Sequence, residues 1–311
     1  MKILITNYVH PDLPRRLIAA GHEVLYEPNF KYQDLPSQIH DFHGIVINSK
    51  IVMTREMMDL GVNLKFIGRL GSGLDIIDLA YANQKGIKVI STPEGNRNAV
   101  AEHVFSMLLA LNNNILRADE EIRAGIWDRE KNRGVELEGK VFGIVGLGNT
   151  GQSLAAKLSP WTQHILYYDP YLLQTPKHLS NITSASLEII QERSDIISFH
   201  VPLTPETKHM INENFINACQ DGVIIVNTSR GKIANTLHLI QALESGKLGG
   251  LCVDVFENEK NQTYTIEENK LYEKLFKQER TVFTPHIAGW THESLQKIAN
   301  VMVDKVLHAF K

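Results

Sequence analysis

The sequence predicts an α/β protein built on two doubly wound parallel sheets, and three observations carry that prediction. Short apolar runs alternate with helix-period stretches along the whole chain, the pattern of parallel strands joined by helices. One of those runs leads directly into a glycine-rich turn and then into a helix pattern. At 311 residues the chain has room for two domains, each with its own core.

In the first part the strand candidates are Lys2–Thr6, Glu23–Tyr26, Gly44–Asn48, Lys65–Arg69 and Lys88–Ser91. Helix patterns lie between them at Leu13–Ala20, Thr54–Leu60 and Leu79–Gln84. Together they make a flavodoxin-like unit with no phosphate loop of its own. Asn98–Leu111 follows as a long helix, with Ala101, Phe105, Leu108 and Leu109 spaced for one buried face. It reads as the crossing into a second domain over 98–290, where strand and helix patterns alternate again. The last helix pattern, Glu293–Phe310, is expected to return to the first domain, which then comprises 1–97 and 291–311. The polar stretch Asn258–Lys270 reads as a flexible insert.

The most specific local signal is Gly146-Leu147-Gly148-Asn149-Thr150-Gly151, preceded by the strand pattern Val141–Val145 and followed by the helix pattern Gln152–Leu158. Strand, turn and helix in that order make a GxGxxG informative. Gly146 permits the tight turn, Gly148 lets backbone N–H groups approach a pyrophosphate, and Gly151 lets helix and strand pack closely. The helix N-terminus adds unpaired donors and partial positive charge for phosphates. The next strand, His164–Tyr168, ends in Asp169, 18 residues beyond Gly151. An acid there accepts hydrogen bonds from ribose hydroxyls and repels a 2′-phosphate, so the pattern calls for NAD in a Rossmann domain.

Composition limits the alternatives. The apolar fraction of 43% and charged fraction of 22% are those of a globular protein in water. A net charge of −3 without a basic block offers no footprint for nucleic acid. No apolar run reaches membrane-spanning length, and Met1–Thr6 reads as a first strand rather than a signal peptide. Cys219 and Cys252 are far apart, which indicates neither a disulfide framework nor a zinc site, and no metal is expected. A cytoplasmic enzyme fits these features.

Ligands of open parallel sheets gather at the carboxyl ends of the strands. In the second domain those ends are followed by His200-Val201-Pro202, by Asn227-Thr228-Ser229-Arg230-Gly231, by Asp254 through Glu259, and by Thr284-Pro285-His286-Ile287-Ala288-Gly289. Hydride exchange at a hydroxyl-bearing carbon needs a proton acceptor, and the imidazole of His286 titrates in the right range. A carboxylate beside it, Glu259, would hold its tautomer and stabilise the imidazolium. Arg230 offers a planar two-pronged cation for a carboxylate and a carbonyl. Asp254 would accept from the nicotinamide amide or balance its ring charge. His200 reads as a backbone contributor to the cofactor pocket. Taken singly each of these residues is more often packed or solvated than chemical; their placement at the ends of one sheet is what points to a site.

At this point the chain resembles the D-isomer-specific 2-hydroxyacid dehydrogenase family, and the likeness covers nearly all of it. The glycine motif with Asp169-Pro170, His200-Val201-Pro202-Leu203-Thr204, Asn227 through Gly231, Asp254 through Glu259, and Thr284-Pro285-His286 occur in the family's order. The resemblance implies a catalytic set of Arg230, Glu259 and His286. It implies NAD contacts from Gly146, Gly148, Asn149, Thr150, Gly151, Asp169, Pro170, His200, Val201, Pro202, Thr207, Thr228, Ser229, Arg230, Asp254, His286 and Gly289. It also implies that Gly71-Ser72-Gly73, within Arg69 through Asp75, holds a substrate carboxylate through backbone N–H groups, with Lys50, Arg230 and His286 around the substrate. Trp127–Arg129 and Glu136–Lys140 resemble the arm that relatives use to form homodimers.

The chain departs from the family where many relatives have Glu-Pro: here Glu259 is followed by Lys260 and by the polar stretch. Glu259 argues against formate as substrate, because formate dehydrogenases of the superfamily carry Gln there. Phosphoglycerate dehydrogenases are also similar, but the arginine of their common pattern is here Asn48, before Ser49, leaving Lys50, Arg69, Arg129 and Arg133 as the basic residues for a phosphate. Three readings follow: a dehydrogenase of small D-2-hydroxy acids, a D-3-phosphoglycerate dehydrogenase in particular, and a non-catalytic NAD(H) sensor on the same fold. A sensor has no need of Arg230, Glu259 and His286 together, so the first is preferred.

Overall fold

The computed structural model describes every residue except Ser180 and Lys311. Its elements begin with β1 (Lys2–Ile5), α1 (Asp12–Ala19), β2 (Glu23–Tyr26), β3 (Gly44–Ile47), α2 (Arg55–Leu60), β4 (Phe66–Arg69), α3 (Leu79–Gln84) and β5 (Lys88–Ser91). The chain continues through α4 (Pro93–Asn112), α5 (Ile115–Arg123), β6 (Phe142–Val145), α6 (Asn149–Leu158), β7 (Ile165–Tyr168), β8 (Ile182–Ser184), α7 (Leu187–Arg193) and β9 (Ile196–Phe199). It closes with α8 (Glu213–Ala218), β10 (Val223–Asn227), α9 (Thr236–Glu244), β11 (Leu248–Val253), α10 (Ile266–Phe276), β12 (Thr281–Phe283) and α11 (His292–Ala309). The chain divides into two compact units, Met1–Arg97 with Trp290–Lys311, and Asn98–Gly289.

The first unit is a five-stranded parallel sheet in the order β2-β1-β3-β4-β5, the flavodoxin arrangement. Its central strand β3 reads Gly-Ile-Val-Ile and is buried at all four residues, whereas the edge strand β2 is only half-buried. That contrast is what helices on both faces of a parallel sheet impose. Successive residues point to opposite faces. Ile45 and Ile47 pack with Met57 and Met58 of α2, while Val46 packs with Leu13 and Leu17 of α1 and with Met302, Val303 and Val306 of α11. Arg16 fastens α1 to α11 through Asn300 (2.9 Å) and Asp304 (2.7 Å).

The second unit is a seven-stranded parallel sheet in the order β12-β11-β10-β9-β6-β7-β8. Counted from β6 this is the 3-2-1-4-5-6 Rossmann order with one further strand, and it reverses direction between β6 and β9. Phe142, Ile144, Ile196, Ile224 and Val226 face α4 and α6, packing on Val104, Leu108, Leu111, Leu154 and Leu158. Val145, Ile197, Phe199, Val223 and Ile225 face α7 to α10. Cys219 and Cys252 sit in these two cores, and burial pushes the Cys219 thiol up to about 12.

Two sequence expectations are corrected. The crossing helix starts at Pro93 rather than Asn98; proline suits a first helical turn, where its missing N–H has no intrahelical partner anyway. The stretch Asn258–Lys270 is not a flexible insert. From Thr265 it enters α10 through a capping box, in which the Thr265 hydroxyl accepts from the Glu268 N–H and the Glu268 carboxylate accepts from the Thr265 N–H. Polar composition hid a helix whose buried side is carried by Tyr272 and Leu275. Among the described residues no helix is long and apolar enough to cross a membrane.

Candidate active site

Strand register assembles the site. Tyr168, Val145, Phe199, Asn227, Val253 and Phe283 are neighbours across β7-β6-β9-β10-β11-β12. The next residue on each strand is therefore Asp169, Gly146, His200, Thr228, Asp254 or Thr284, in one row with about 4.8 Å between strands. Every one of these follows a strand at its carboxyl end, and the row spans the reversal between β6 and β9, where such sheets bind ligands.

The turn after β6 fits a dinucleotide. Gly146 has φ +91°, and a Cβ there would lie 2.6 Å from the His200 carbonyl. A Cβ on Gly151 would lie 2.1 Å from the Gly146 carbonyl, so α6 packs on the turn only with glycine. A Cβ on Gly148 would meet nothing within 4 Å, and Gly148 begins α6 without a side-chain cap, so this face of the turn is open to an anion. Asn149 and Thr150 form the first turn of that helix. Asp169 accepts from the Leu147 N–H (2.8 Å) and the Tyr171 N–H (3.0 Å), one bond per oxygen, which leaves each oxygen a further lone pair for a ribose hydroxyl. Pro170 is exposed beside it.

The turn that follows β9 is closed by Thr207, whose hydroxyl donates to the Pro202 carbonyl (2.6 Å) and accepts from the Thr204 N–H (2.8 Å). Val201 is half-buried at its start. The turn that follows β10 is shaped by buried Asn227, which accepts from the Ser229 N–H and hydroxyl and donates to the Arg230 carbonyl (2.9 Å). The Thr228 hydroxyl is buried and makes no hydrogen bond among the described residues, a polar atom facing the same row that a ligand group would satisfy. NAD thus fits the residues present.

His286 and Glu259 meet directly. The imidazole Nδ1 lies 3.0 and 2.9 Å from the two carboxylate oxygens of Glu259, with both side chains nearly half exposed. Burial raises the Glu259 carboxyl, but the hydrogen bond and charge of His286 and the field of Arg230 outweigh it and hold the group below its ordinary value. Arg230 is tied to the Glu259 loop at the next residue: a Cβ on Gly231 would lie 2.0 Å from the Phe256 carbonyl. Its guanidinium donates to the Ser229 carbonyl (2.6 Å).

Sequence reasoning missed the role that Asp254 plays here. Its side chain is fully buried. One oxygen accepts from the Thr284 hydroxyl (2.6 Å) and the Ile287 N–H (2.8 Å), the other from the Ala288 N–H (2.9 Å). Its carbonyl accepts from the His286 N–H (2.8 Å). The carboxylate is thus engaged by the loop that carries His286, and it holds His286 at φ +56°, a left-handed conformation uncommon outside glycine. His103 on α4 completes the cluster, with Nε2 at 2.9 Å from the Thr284 oxygen. Burial lowers the His103 pKa against the pull of Asp254, so the neutral ring donates to Thr284, which donates to Asp254. Nothing in residue spacing announced this; the strand row brings residues 254 and 284 together, and α4, packed on the same sheet, adds 103.

In the first unit, Gly71 is held to the end of β5 by the Thr92 hydroxyl, which accepts its N–H (2.8 Å), and by the Thr92 N–H, which donates to its carbonyl (2.9 Å). Ser72 bonds Asn96 (3.3 Å), and Gly73 is half-buried. Lys50 is exposed beyond β3, its N–H accepted by Asn48 (3.1 Å). Gly289 is half-buried at the end of the second unit.

A Rossmann sheet with a dinucleotide turn at its reversal point defines the class of dinucleotide-binding proteins. The chain belongs to the D-isomer-specific 2-hydroxyacid dehydrogenase family, whose NAD-binding domain matches residues 105–288. Hydroxypyruvate reductase of Thermotoga maritima is 36% identical over 88% of this chain and 86% of that protein. D-3-phosphoglycerate dehydrogenase of Archaeoglobus fulgidus is 31% identical over 100% of this chain, and the chain spans only 58% of that protein's length. The solved D-lactate dehydrogenase of Aquifex aeolicus, complexed with NAD and lactic acid, is 30% identical, with a TM-score of 0.85 over 99% of this chain and 95% of that one.

The His200 ring supplies a test of this geometry. It is half-buried, with Nε2 at 2.8 Å from the Ser198 hydroxyl, and desolvation of the ring lowers its pKa from 6.5 to about 4, so folding favours the neutral ring. Between those values the unfolded chain binds a proton that the folded chain does not. Stability conferred by the neutral ring is therefore lost as pH falls through that window, by roughly 3 kcal/mol in all. His200→Gln is expected to flatten this part of the pH–stability curve in denaturant titrations; curves of equal slope for the two proteins would contradict the burial argument.

Proposed function

We propose that this protein interconverts a small D-2-hydroxy acid and its 2-oxo acid with NAD(H), using His286 as acid–base group, Glu259 as its support and Arg230 as the anchor for substrate carboxylate and carbonyl. The observation that carries the reading is the contact of both Glu259 oxygens with His286 Nδ1. An ionised carboxylate only accepts, so Nδ1 carries the hydrogen. Nε2, which makes no hydrogen bond among the described residues, is then the atom that exchanges a proton with substrate.

Gly146 to Gly151, Asp169 and Thr228 would hold the dinucleotide, with the turns at Val201–Thr207 and Ser229 around it. When bound, NADH supplies the hydride. In the reducing direction His286 gives the Nε2 proton to the substrate oxygen, and Glu259 stabilises the imidazolium beforehand. Arg230 pairs with the substrate carboxylate; in the first unit Ser72 and Gly73 offer backbone N–H groups and Lys50 a cation for an anion, whereas the expected Gly71 N–H is already taken by the Thr92 hydroxyl. This assigns 1–97 and 291–311 to substrate and 98–290 to cofactor. A cytoplasmic location is part of the proposal.

The 31% identity to a phosphoglycerate dehydrogenase over the whole chain favours a second reading, a phosphorylated substrate. Its basic residues are partly committed: Arg133 is paired with Glu130 (2.8 and 3.1 Å), and Arg69 donates to the Leu70 carbonyl. We therefore prefer an unphosphorylated acid.

NADH oxidation against glyoxylate, hydroxypyruvate, pyruvate and phosphohydroxypyruvate tests both readings. Turnover is expected with an unphosphorylated acid, and His286→Ala should lower kcat by at least 100-fold with little change in NADH affinity. Turnover confined to the phosphorylated acid would replace the first reading by the second, and NADH binding with no turnover would leave a sensor. Glu259→Gln removes the charged acceptor that orients the ring, so kcat of reduction should fall about ten-fold with NADH affinity little changed; an unchanged kcat would remove Glu259 from the acid–base pair.

A homodimer is proposed from α5, which has no buried residue, and from the exposed Ile115, Leu116, Ile122, Ile126 and Trp127. Sedimentation is expected to give twice the 35.1 kDa chain mass, with Trp127→Glu reducing it to the chain mass; a monomeric wild type would refute the dimer.

A further inference from the structure

The segment 258–276 surrounds the residue that precedes Glu259. The Asn258 N–H donates to the Tyr272 hydroxyl (3.0 Å), and the Tyr264 hydroxyl donates to the Asn258 carbonyl (3.1 Å). Both backbone groups of one residue are thus satisfied by tyrosine side chains. The two rings stack at 4.6 Å with an interplanar angle of 19°, and Tyr272 packs edge-on against Phe256, which precedes the loop. The Asn258 side chain is held in turn, donating to Glu268 (3.1 Å) and accepting from the Lys260 N–H (3.0 Å). Glu268 is itself fixed by the capping box that starts α10.

We propose that Tyr264 and Tyr272 are positioning residues that aim Glu259 at His286, and that α10 is the buttress holding them. The proposal rests on the reading of Glu259 and His286 as the acid–base pair. A Glu-Pro dipeptide restricts its glutamate through the proline ring, since the residue before proline is confined to extended backbone. Glu259-Lys260 has no such restriction. The tyrosine bracket supplies an external one at the neighbouring peptide groups. Tyr272 is buried and Tyr264 half-buried, so neither hydroxyl is easily replaced by water.

Tyr→Phe removes each hydroxyl while keeping the stacked rings. Tyr264→Phe/Tyr272→Phe is expected to lower kcat about ten-fold while NADH affinity and the thermal midpoint change little. In a Glu259→Gln background the same pair should cost less than two-fold, because the group being aimed is no longer charged. The charged groups facing Glu259 are His286 and Arg230, with Glu268 behind Tyr264. None of these is altered by the double substitution, so a loss of kcat that depends on Glu259 reports orientation.

A readout without substrate is the imidazole ¹H–¹⁵N spectrum. The His286 Nδ1–H resonance, downfield in the wild type through its bond to Glu259, should broaden or vanish in the double variant. Equal losses of kcat in the wild-type and Glu259→Gln backgrounds would make the tyrosines merely structural and overturn the proposal. An unchanged Nδ1–H resonance would also overturn it. Should Tyr272→Phe fail to fold, Tyr264→Phe alone carries the test, through the same resonance. If the wild type reduces no 2-oxo acid yet the resonance responds as expected, the functional reading fails and the positioning role stands.

Discussion

Everything at the site depends on the register of six parallel strands. Each strand ends level with its neighbours, so the residue after each end falls into one row, and the chemistry of the row is decided by six residues far apart in sequence. A one-residue slip in β12 would move Thr284 out of the row and turn His286 to the other side of the sheet edge. β12 is an edge strand buried only at Val282, so its register is held chiefly by the Asp254 contacts to Thr284, Ile287 and Ala288, whereas the inner strands are continuous apolar runs. Val223 to Asn227 is buried at every residue, as are Phe142–Val145 and Ile196–Phe199.

Within that frame a buried carboxylate sets the loop bearing the imidazole. The left-handed backbone of His286 costs about 1–2 kcal/mol. Three donors to the Asp254 carboxylate, each worth about 1.5–3 kcal/mol for a charged acceptor, outweigh it. Removing the acceptor would leave Ile287 and Ala288 with unpaired N–H groups in a confined turn. The strained backbone of His286 is thus sustained by polar contacts to a buried carboxylate.

Much of this was legible in the sequence. The glycine turn, Asp169 and the residues after β9 to β12 stood out because parallel strands are continuous apolar runs with abrupt polar ends. Glu259 and His286 were legible as types at strand ends, and the structure places them in contact. What sequence concealed has a common cause. α10 is polar over most of its length and shows its core through Tyr272 and Leu275, so composition suggested a flexible insert. Asp254 read as a ligand contact because a lone acid at a strand end does not reveal which backbone donors will surround it. His103 carried no signal, being one polar residue on an apolar helix.

A carboxylate-oriented imidazole at the sheet edge that carries the dinucleotide turn supports the proposed reaction, transfer of a hydride and a proton across a carbonyl. The most direct measurement is the fate of the hydride. With NADH deuterated at the transferring carbon of the nicotinamide and glyoxylate or pyruvate as acceptor, the account predicts a 2-hydroxy acid bearing deuterium at C2, of D configuration where that carbon is chiral. Product without deuterium, or of L configuration, would contradict it.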